Sequence, residues 1–253
     1  MKKKFSLLMA VLMLAMLLSA CGGDTGSKGS EDGAVGGGSS APADTSAPAD
    51  TGSSDGSGAS AVAQDTNTVA VGAVVIARDD VPEDDIYALT SAIFENIPTI
   101  TEQHAKGGEL DLDFASSVTS VPYHPGAAKY FAEKGKEVAS VKEGAGSGDS
   151  KALTFGTGGE SGTYYAFGGV LSSYISNNTG VSVTAVTSGG SKANIEDLAA
   201  GDIQLGFVQS DVMSYAFNGE RLFDAKVENF SVVAALYMEQ VQIVTTNPDI
   251  KSV

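Results

Sequence analysis

Blocks of apolar and polar residues alternate along the second half of the chain. Segments with apolar positions at helical spacing predict helices from about 162 to 177, from 192 to 200 and from 210 onward. Between them lie apolar runs of strand length, at 152–156, 181–187, 203–208, 232–237 and 241–245. Strands that alternate with helices predict an α/β fold, with a mainly parallel sheet flanked by helices and joined by right-handed crossovers.

The stretch from residue 69 to 135 shows a related pattern. Residues 69–77 are almost wholly apolar and rich in valine, which predicts a strand buried on both faces. The acidic residues and proline at 79–83 predict a helix start, and apolar positions at helical spacing follow as far as Ile97. A second helix is predicted after Pro125, as far as Lys134. Residues 137–150 are polar and glycine-rich, which is typical of a linker or a long surface loop.

A glycine-rich turn joins the strand at 152–156 to the helix that follows it. Glycines at 156, 158, 159 and 162 allow a tight turn, and the helix start adds unpaired amides and a positive dipole end. The pattern therefore predicts an anion-binding loop. It is not a dinucleotide fingerprint, a phosphate loop or a nucleophile elbow, because Ser161 and Thr163 stand where glycines are needed and no lysine lies between 151 and 192.

Two further loops are expected beside this turn. In parallel sheets the ligand site lies at the carboxyl ends of the strands. Residues 157–163, 187–191 and 209–211 each follow a predicted strand. We therefore expect these three loops to converge on one site.

The first 67 residues predict export and attachment to a membrane. Residues 1–20 combine three lysines, a short apolar run and Ser19-Ala20, as in a secretory signal, and the run is shorter than the roughly 20 residues of a membrane span. Cys21, the only cysteine, is predicted to be lipidated because residues 18–21 resemble a bacterial lipobox. Residues 21–67 are rich in Gly, Ser, Ala, Asp, Pro and Thr, which predicts a flexible tether.

Composition limits the classes of partner that this protein could bind. The formal net charge is −16, so nucleic acid is not expected as a partner. An anionic ligand would have to be attracted by local backbone dipoles. No metal or other cofactor is predicted, because neither His104 nor His124 has metal-ligand spacing; His124, before Pro125, is predicted to be a turn and cap residue.

Several segments resemble one known family. Residues 153–165, 183–191, 206–211 and 230–253 resemble the N-terminal portion of the TAXI family, the solute-binding proteins of tripartite ATP-independent periplasmic (TRAP) transporters. Residues 69–135 resemble the C-terminal portion of that family, through 79–83, 93–96 and 122–127. The family order is thus inverted, and the middle portion expected after Val253 is missing from the sequence.

The resemblance implies one lobe of a type II periplasmic-binding fold. Segments 68–136 and 151–253, joined by 137–150, would together build that lobe. The resemblance also implies roles for the residues of the three loops. The predicted ligand-binding residues are Gly158, Gly159, Ser161, Gly162, Thr163, Tyr164, Thr187, Gly189, Gly190, Ser191, Gln209, Ser210 and Asp211.

Two aspects of this site concern particular side chains. Tyr164 is expected to line the cleft, and Tyr165 to pack in the core. Asp211 suits a helix cap or a ligand ammonium better than a ligand carboxylate. The ligand is therefore expected to be a small organic anion, either a carboxylate or an amino acid such as glutamate.

The function implied is that of an extracytoplasmic, lipid-anchored protein that binds a solute and delivers it to the membrane subunits of a TRAP-type permease. No enzymatic activity is expected. Two alternatives remain open. One is a serine-dependent transferase or hydrolase that uses Ser161. The other is an inert or regulatory single-lobe fragment without useful affinity, because half a cleft buries little of a ligand.

Overall fold

The computed structural model describes residues 68–149, 152–243, 246–247 and 249. The predicted signal sequence, Cys21 and the predicted tether lie outside the described residues. No helix in the described part of the chain is long and apolar enough to cross a membrane.

The secondary structure begins with a strand and a group of short helices and continues with alternating strands and helices. The first group comprises β1 (Ala70–Arg78), α1 (Glu83–Phe94), α2 (Ile97–Gln103), a 3₁₀ helix (Ala105–Glu109), α3 (Leu112–Ala115) and α4 (Pro125–Glu133). The second comprises β2 (Leu153–Gly156), α5 (Thr163–Asn178), β3 (Val183–Val186), α6 (Ser191–Ala200), β4 (Leu205–Gln209), α7 (Ser210–Asn218) and β5 (Phe230–Gln240).

The strands form one sheet in the order β3-β2-β4-β1-β5. Strand β2 is parallel to β3 and β4, whereas β1 is antiparallel to both of its neighbours, β4 and β5. Four strands therefore run in one direction and β1 runs against them. The α/β fold with a mostly parallel sheet and flanking helices is confirmed, and it is compatible with a lobe of a periplasmic-binding fold.

Strand β1 lies within the core, as its apolar sequence predicts. Residues 73–77 are at most 3% exposed. Both edges of β1 are occupied by neighbouring strands and both faces are buried, so a continuous apolar run is the pattern that this position requires. The two halves of the chain thus share one hydrophobic core.

Strand β5 differs from the prediction of two strands, at 232–237 and 241–245. It is a single strand of 11 residues that ends at Gln240, and residues 241–243 are not in a strand. The reason is its partner: β1 pairs with β5 from Arg78↔Phe230 to Ala70↔Gln240, and β1 begins at Ala70. Residues 244 and 245 lie outside the described residues.

Residues 137–149 form a loop that is tied to the fold by backbone hydrogen bonds. The amide of Lys142 donates to the carbonyl of Tyr123 over 2.8 Å. The amide of Gly146 donates to Asp79, also over 2.8 Å, and the carbonyl of Gly146 accepts from Glu83. The loop therefore holds the start of α1 against the end of β1.

Helix α4 begins at a buried histidine. His124 is fully buried; its Nδ1 accepts from the amide of Gly126, and its Nε2 lies 3.0 Å from the carbonyl oxygen of Val81. Burial lowers the pKa of His124 to about 4. The neutral ring accepts from the helix amide and donates to Val81, which confirms the predicted turn and cap.

Candidate functional site

Three helices begin at the edge where β2, β3 and β4 end. Helix α5 follows the loop after β2, α6 follows the loop after β3, and α7 follows β4 directly. The residues just before them, Gly162, Gly190 and Gln209, make no side-chain cap hydrogen bond. Because the first amides of a helix have no partner within it, this edge presents backbone donors and three positive dipole ends.

The loop after β2 is fixed by the neighbouring strand. Thr157 is fully buried, and both its amide and its hydroxyl donate to the carbonyl of Val186, over 3.0 and 2.6 Å. The carbonyl of Gly158 accepts from the amide of Ser188. The amide of Gly162 then donates to Gly159 over 2.8 Å and closes the turn before α5. The position of the glycine turn is therefore set by β3.

A buried asparagine joins two of the strand ends. The side-chain amide of Asn194, on α6, donates to the carbonyls of Thr157 over 2.9 Å and Phe207 over 2.7 Å. Asn194 is fully buried. It is close to β2 as well, since a Cβ on Gly156 would lie 2.5 Å from its Oδ1. The glycine at 156 is thus needed for close approach of α6.

The end of β4 is held by the start of α6. The hydroxyl of Ser191 accepts from the amide of Gln209 over 3.0 Å. Gly190, just before Ser191, has a φ of 85° and an extended ψ, a conformation that favours glycine. Its amide donates to the hydroxyl of Ser188. The second and third loops are therefore connected by direct hydrogen bonds.

Tyr164 forms an aromatic wall beside these loops. Its ring stacks on Phe207, with centroids 4.7 Å apart and planes 9° from parallel. Its hydroxyl is buried and makes no hydrogen bond of good geometry, although the side chains of Glu239 and Ser191 lie close enough to affect its pKa. Burial raises the pKa of Tyr164, and the charge of Glu239 raises it further. Tyr164 therefore stays neutral and presents an unpaired hydroxyl near Glu239.

An acidic residue that the sequence analysis missed lies in the same place. Glu239 is near the end of β5, and its Oε2 accepts from Nε2 of Gln209 over 2.9 Å. Tyr237, two residues earlier and on the same face, is 2% exposed and has an unpaired hydroxyl. The sequence does contain a signal for Glu239, a charged residue that follows the apolar run 232–237. The prediction of a second strand at 241–245 assigned Glu239 to the turn between two strands, and not to the site.

These elements enclose a hollow of about 380 Å³. Eight predicted residues line it together with Glu239: Gly158, Gly159, Gly162, Thr163, Tyr164, Gly190, Ser191 and Gln209. Three predicted residues, Ser161, Thr187 and Gly189, are exposed and do not line this hollow. The structure therefore brings the three loops together, although not every residue in them.

Ser210 and Asp211 lie in a different hollow. The hydroxyl of Ser210 accepts from the amide of Gly72, on β1, over 3.0 Å. Both residues line a space of about 410 Å³ with Phe114 and Met238. Met238 precedes Glu239 in β5, so the two hollows lie on opposite faces of the same sheet edge.

A larger hollow, of about 450 Å³, lies along α5 and β3. Tyr165 lines it and is 36% exposed, so the expectation that Tyr165 packs in the core is wrong. The helix turns by about 100° per residue, which puts Tyr164 and Tyr165 on different faces. This hollow has no charged side chain and no converging helix starts, so we place the candidate site in the hollow beside Glu239.

Comparison with known families agrees with this architecture. The model of the NMT1-like family matches residues 56–135 and 155–253, well over half of the chain. This family is periplasmic-binding-protein-like and related to the solute-binding proteins of TRAP and ABC transporters. The first matched stretch contains β1, which lies between β4 and β5 of the second, so both stretches build one sheet.

Proposed function

Because the chain belongs to the NMT1-like family, a family of solute-binding proteins, we propose that it binds a small organic anion, a carboxylate or an amino acid, in the hollow beside Glu239. Such families are typically extracytoplasmic and pass their solute to a transporter. The finer assignment, to the TAXI group with a TRAP-type permease as the partner, rests on the resemblance of the glycine turn and of residues 206–211.

The observation that carries the proposal is the convergence of helix starts without caps. The first turns of α5 and α6 have neither a capping side chain nor an acidic residue. Their amides and dipoles are therefore not compensated by the helices themselves. A ligand carboxylate at this edge would accept from these amides in a partly enclosed space, where such hydrogen bonds are stronger than in water.

Binding without chemistry is the simplest use of these groups. Ser161 is exposed and forms no hydrogen bond to a histidine, aspartate or glutamate among the described residues. A serine nucleophile needs such a base within hydrogen-bonding distance. We therefore favour solute binding over the transferase or hydrolase alternative.

Location and delivery complete the proposal. The signal sequence and Cys21 would place the protein outside the cytoplasm, attached to the membrane by lipid, with residues 22–67 as a tether. The described residues form one wall of a cleft, and we propose that a second body closes over it to bury the ligand. In periplasmic-binding proteins, domain closure around the solute is the usual form of this step.

The first experiment is thermal denaturation of the full chain with amino acids and with mono- and dicarboxylates, followed by calorimetry on any compound that raises the melting temperature. A ligand that binds only the folded state raises the melting temperature further as its concentration increases, roughly with the logarithm of that concentration above its Kd. A solute-binding protein should respond to a small, related group of compounds. An absence of any response in the whole panel would contradict the proposal.

A matched pair of variants assigns the binding to the hollow. A Cβ on Gly159 or on Gly180 would meet no atom within 4 Å, so aspartate fits at both positions. Gly159→Asp puts a carboxylate among the converging amides, and we expect a loss of affinity of about tenfold or more. Gly180→Asp adds the same charge away from the hollow and should leave affinity unchanged. Equal effects of the two substitutions would place the ligand elsewhere.

A further inference from the structure

Glu239 gives the hollow a negative side chain in a fixed position. It lies near the end of β5, paired in the sheet with Val71, and its carboxylate is held by the side-chain amide of Gln209. The backbone of Gln209 is held in turn by Ser191. Two of the three loops therefore determine where this carboxylate lies, which is unlike a mobile surface glutamate.

No positive side chain balances Glu239 within the hollow. Its lining residues include no lysine, arginine or histidine. Lys106 lies 4.5 Å from the ring centre of Tyr237, but its amine is paired with Glu109 at 2.6 Å. The whole chain is acidic as well, with a net charge of −16. A ligand with only negative charge would therefore meet an unbalanced carboxylate opposite the amides that attract it.

Two unpaired hydroxyls stand beside the carboxylate. Tyr164 lines the hollow, and Tyr237 is buried on the same face of β5 as Glu239; neither hydroxyl has a hydrogen-bond partner. Burial raises the pKa of both phenols, and the charge of Glu239 adds to this, so both remain neutral. Buried polar groups are nearly always paired in the functional state of a protein. The hydroxyl of Tyr164, which lines the hollow beside Glu239, is thus available to a polar group of a ligand, whereas Tyr237 does not line the hollow.

We propose that Glu239, positioned by Gln209 and flanked by Tyr164, binds a positively charged group of the ligand, and that the solute is therefore a zwitterion such as an α-amino acid. This inference rests on the proposed function. The carboxylate of such a ligand would accept from the amides at the starts of α5 and α6, and its ammonium would donate to Glu239. The hydroxyl of Tyr164 would accept from the same ammonium or from the ligand side chain.

The test compares ligands that differ only in the ammonium group. Calorimetry on the full chain would measure glutamate against glutarate, and leucine against 2-hydroxy-4-methylpentanoate. We expect at least one amino acid to bind, and the matched compound without the ammonium to bind about thirtyfold or more weakly, because the half-buried Glu239 would lose its counter-charge. If the compound without the ammonium binds as tightly, the inference is overturned while the proposed function stands.

Variants at Glu239 separate charge recognition from packing. Glu239→Gln should lower the affinity for the amino acid by about tenfold or more, because the ligand ammonium loses its charged partner. The affinity for the compound without the ammonium should stay the same or rise. Glu239→Asp should keep the preference for the amino acid. Glu220→Gln removes an equal charge from an exposed position beyond the far end of α7. It should change the affinity for neither compound.

The remaining outcomes each have a definite meaning. If Glu239→Gln weakens both compounds of a pair equally while its melting temperature is unchanged, Glu239 only shapes the hollow and the inference is wrong. If Glu239→Gln unfolds, the result for Glu239→Asp decides, because loss of the preference in a folded variant that retains the charge also contradicts the inference. If no compound of either kind binds, the proposed function fails together with the inference.

Discussion

Helices α4 and α5 begin in opposite ways. At the start of α4, His124 is buried and its ring accepts from the helix amide of Gly126. At the start of α5, Gly162 has no side chain to offer, and the first turn opens onto the hollow beside Glu239. Amides that are satisfied within the chain stabilise the fold, whereas amides that are left open are available to a ligand.

The same contrast extends to the other helices. Asp111 caps α3 and His104 caps the 3₁₀ helix. Helix α1 has no side-chain cap, but three acidic residues in its first turn compensate its dipole. Helices α5 and α6 have neither device. Helix α2 also has neither device, but Pro98 in its first turn has no amide hydrogen to leave unpaired. The starts of α5 and α6 differ from that of α2 in lying together at the carboxyl edge of the sheet, where a ligand site is expected.

The largest effect is expected at the buried cap. His124→Ala removes the acceptor for Gly126 and leaves the carbonyl of Val81 without its partner, so the free energy of unfolding should fall by about 3 kcal/mol. Chemical denaturation measures this. His104→Ala is the control, because His104 caps the 3₁₀ helix from a less buried position. Its free energy of unfolding should fall clearly less. Equal losses would show that burial of the cap is unimportant.

The buried histidine also predicts a pH dependence. Its folded pKa, about 4, lies below the ordinary value of 6.5, so its contribution to stability is complete above pH 6.5 and is lost as the pH falls to 4. That loss is about 3 kcal/mol between pH 7 and pH 4, from 1.36 kcal/mol per pKa unit. Denaturation curves of the wild type and His124→Asn should converge over this range. Parallel curves would contradict the assigned pKa.

A loss of about 2 kcal/mol is expected at the residue that joins the loops. Asn194→Ala leaves the carbonyls of Thr157 and Phe207 buried and unpaired. Ligand affinity should fall too, since the glycine turn loses its connection to α6. The control is Asn178→Ala, which removes an exposed side-chain hydrogen bond to Tyr174 and should be nearly neutral. A neutral Asn194→Ala would mean that Ser191 alone positions the loops.

A smaller effect, of opposite sign for stability and binding, is expected at the open helix start. Gly162→Ser supplies a hydroxyl that can cap α5. It should raise the free energy of unfolding by about 0.3 kcal/mol. The same hydroxyl competes for the amides that the ligand would use, so affinity should fall. Gly162→Ala is the control, because it adds the Cβ without the hydroxyl that accepts a hydrogen bond. If serine and alanine alter affinity equally, the cause is the Cβ, which would lie 3.1 Å from the carbonyl of Gly159.

The smallest effect is expected at Ser161. This exposed residue does not line the hollow, so Ser161→Ala should change the free energy of unfolding by less than about 0.5 kcal/mol and leave solute affinity unchanged. Denaturation and calorimetry would check both. Loss of a hydrolytic or transferase activity in this variant, with binding intact, would instead favour the enzymatic alternative.

The elements of the second half of the chain were predictable because their signals are local. Glycine turns, strand-length apolar runs and helical spacing predicted β2, α5, β3, α6, β4 and α7 close to their observed bounds. The prediction failed in β5, whose length is set by pairing with β1, a strand more than 150 residues earlier in the chain. The apolar run at 232–237 continues as one strand to Gln240, because its distant partner β1 begins at Ala70 and pairs with it that far.

The candidate site was predicted in part for the same reason. The glycine turn, Ser191 and Gln209 follow strands, so the rule for parallel sheets located them. The separation of Ser210 and Asp211 from Gln209 depends on which face of the sheet each side chain takes, and Ser210 is drawn to Gly72 on β1. Glu239 reaches the hollow only because β5 lies in register with β1.

The sequence by itself determined the α/β fold class, the glycine turn before α5 and the acidic charge of the chain, because these depend on residue type and short-range spacing. The tertiary structure decided that β1 lies between β4 and β5 and that Gln209 meets Glu239. It also decided that His124 is buried beside Val81. These contacts join residues far apart in the chain, and their free energy depends on burial and distance, which local patterns do not specify.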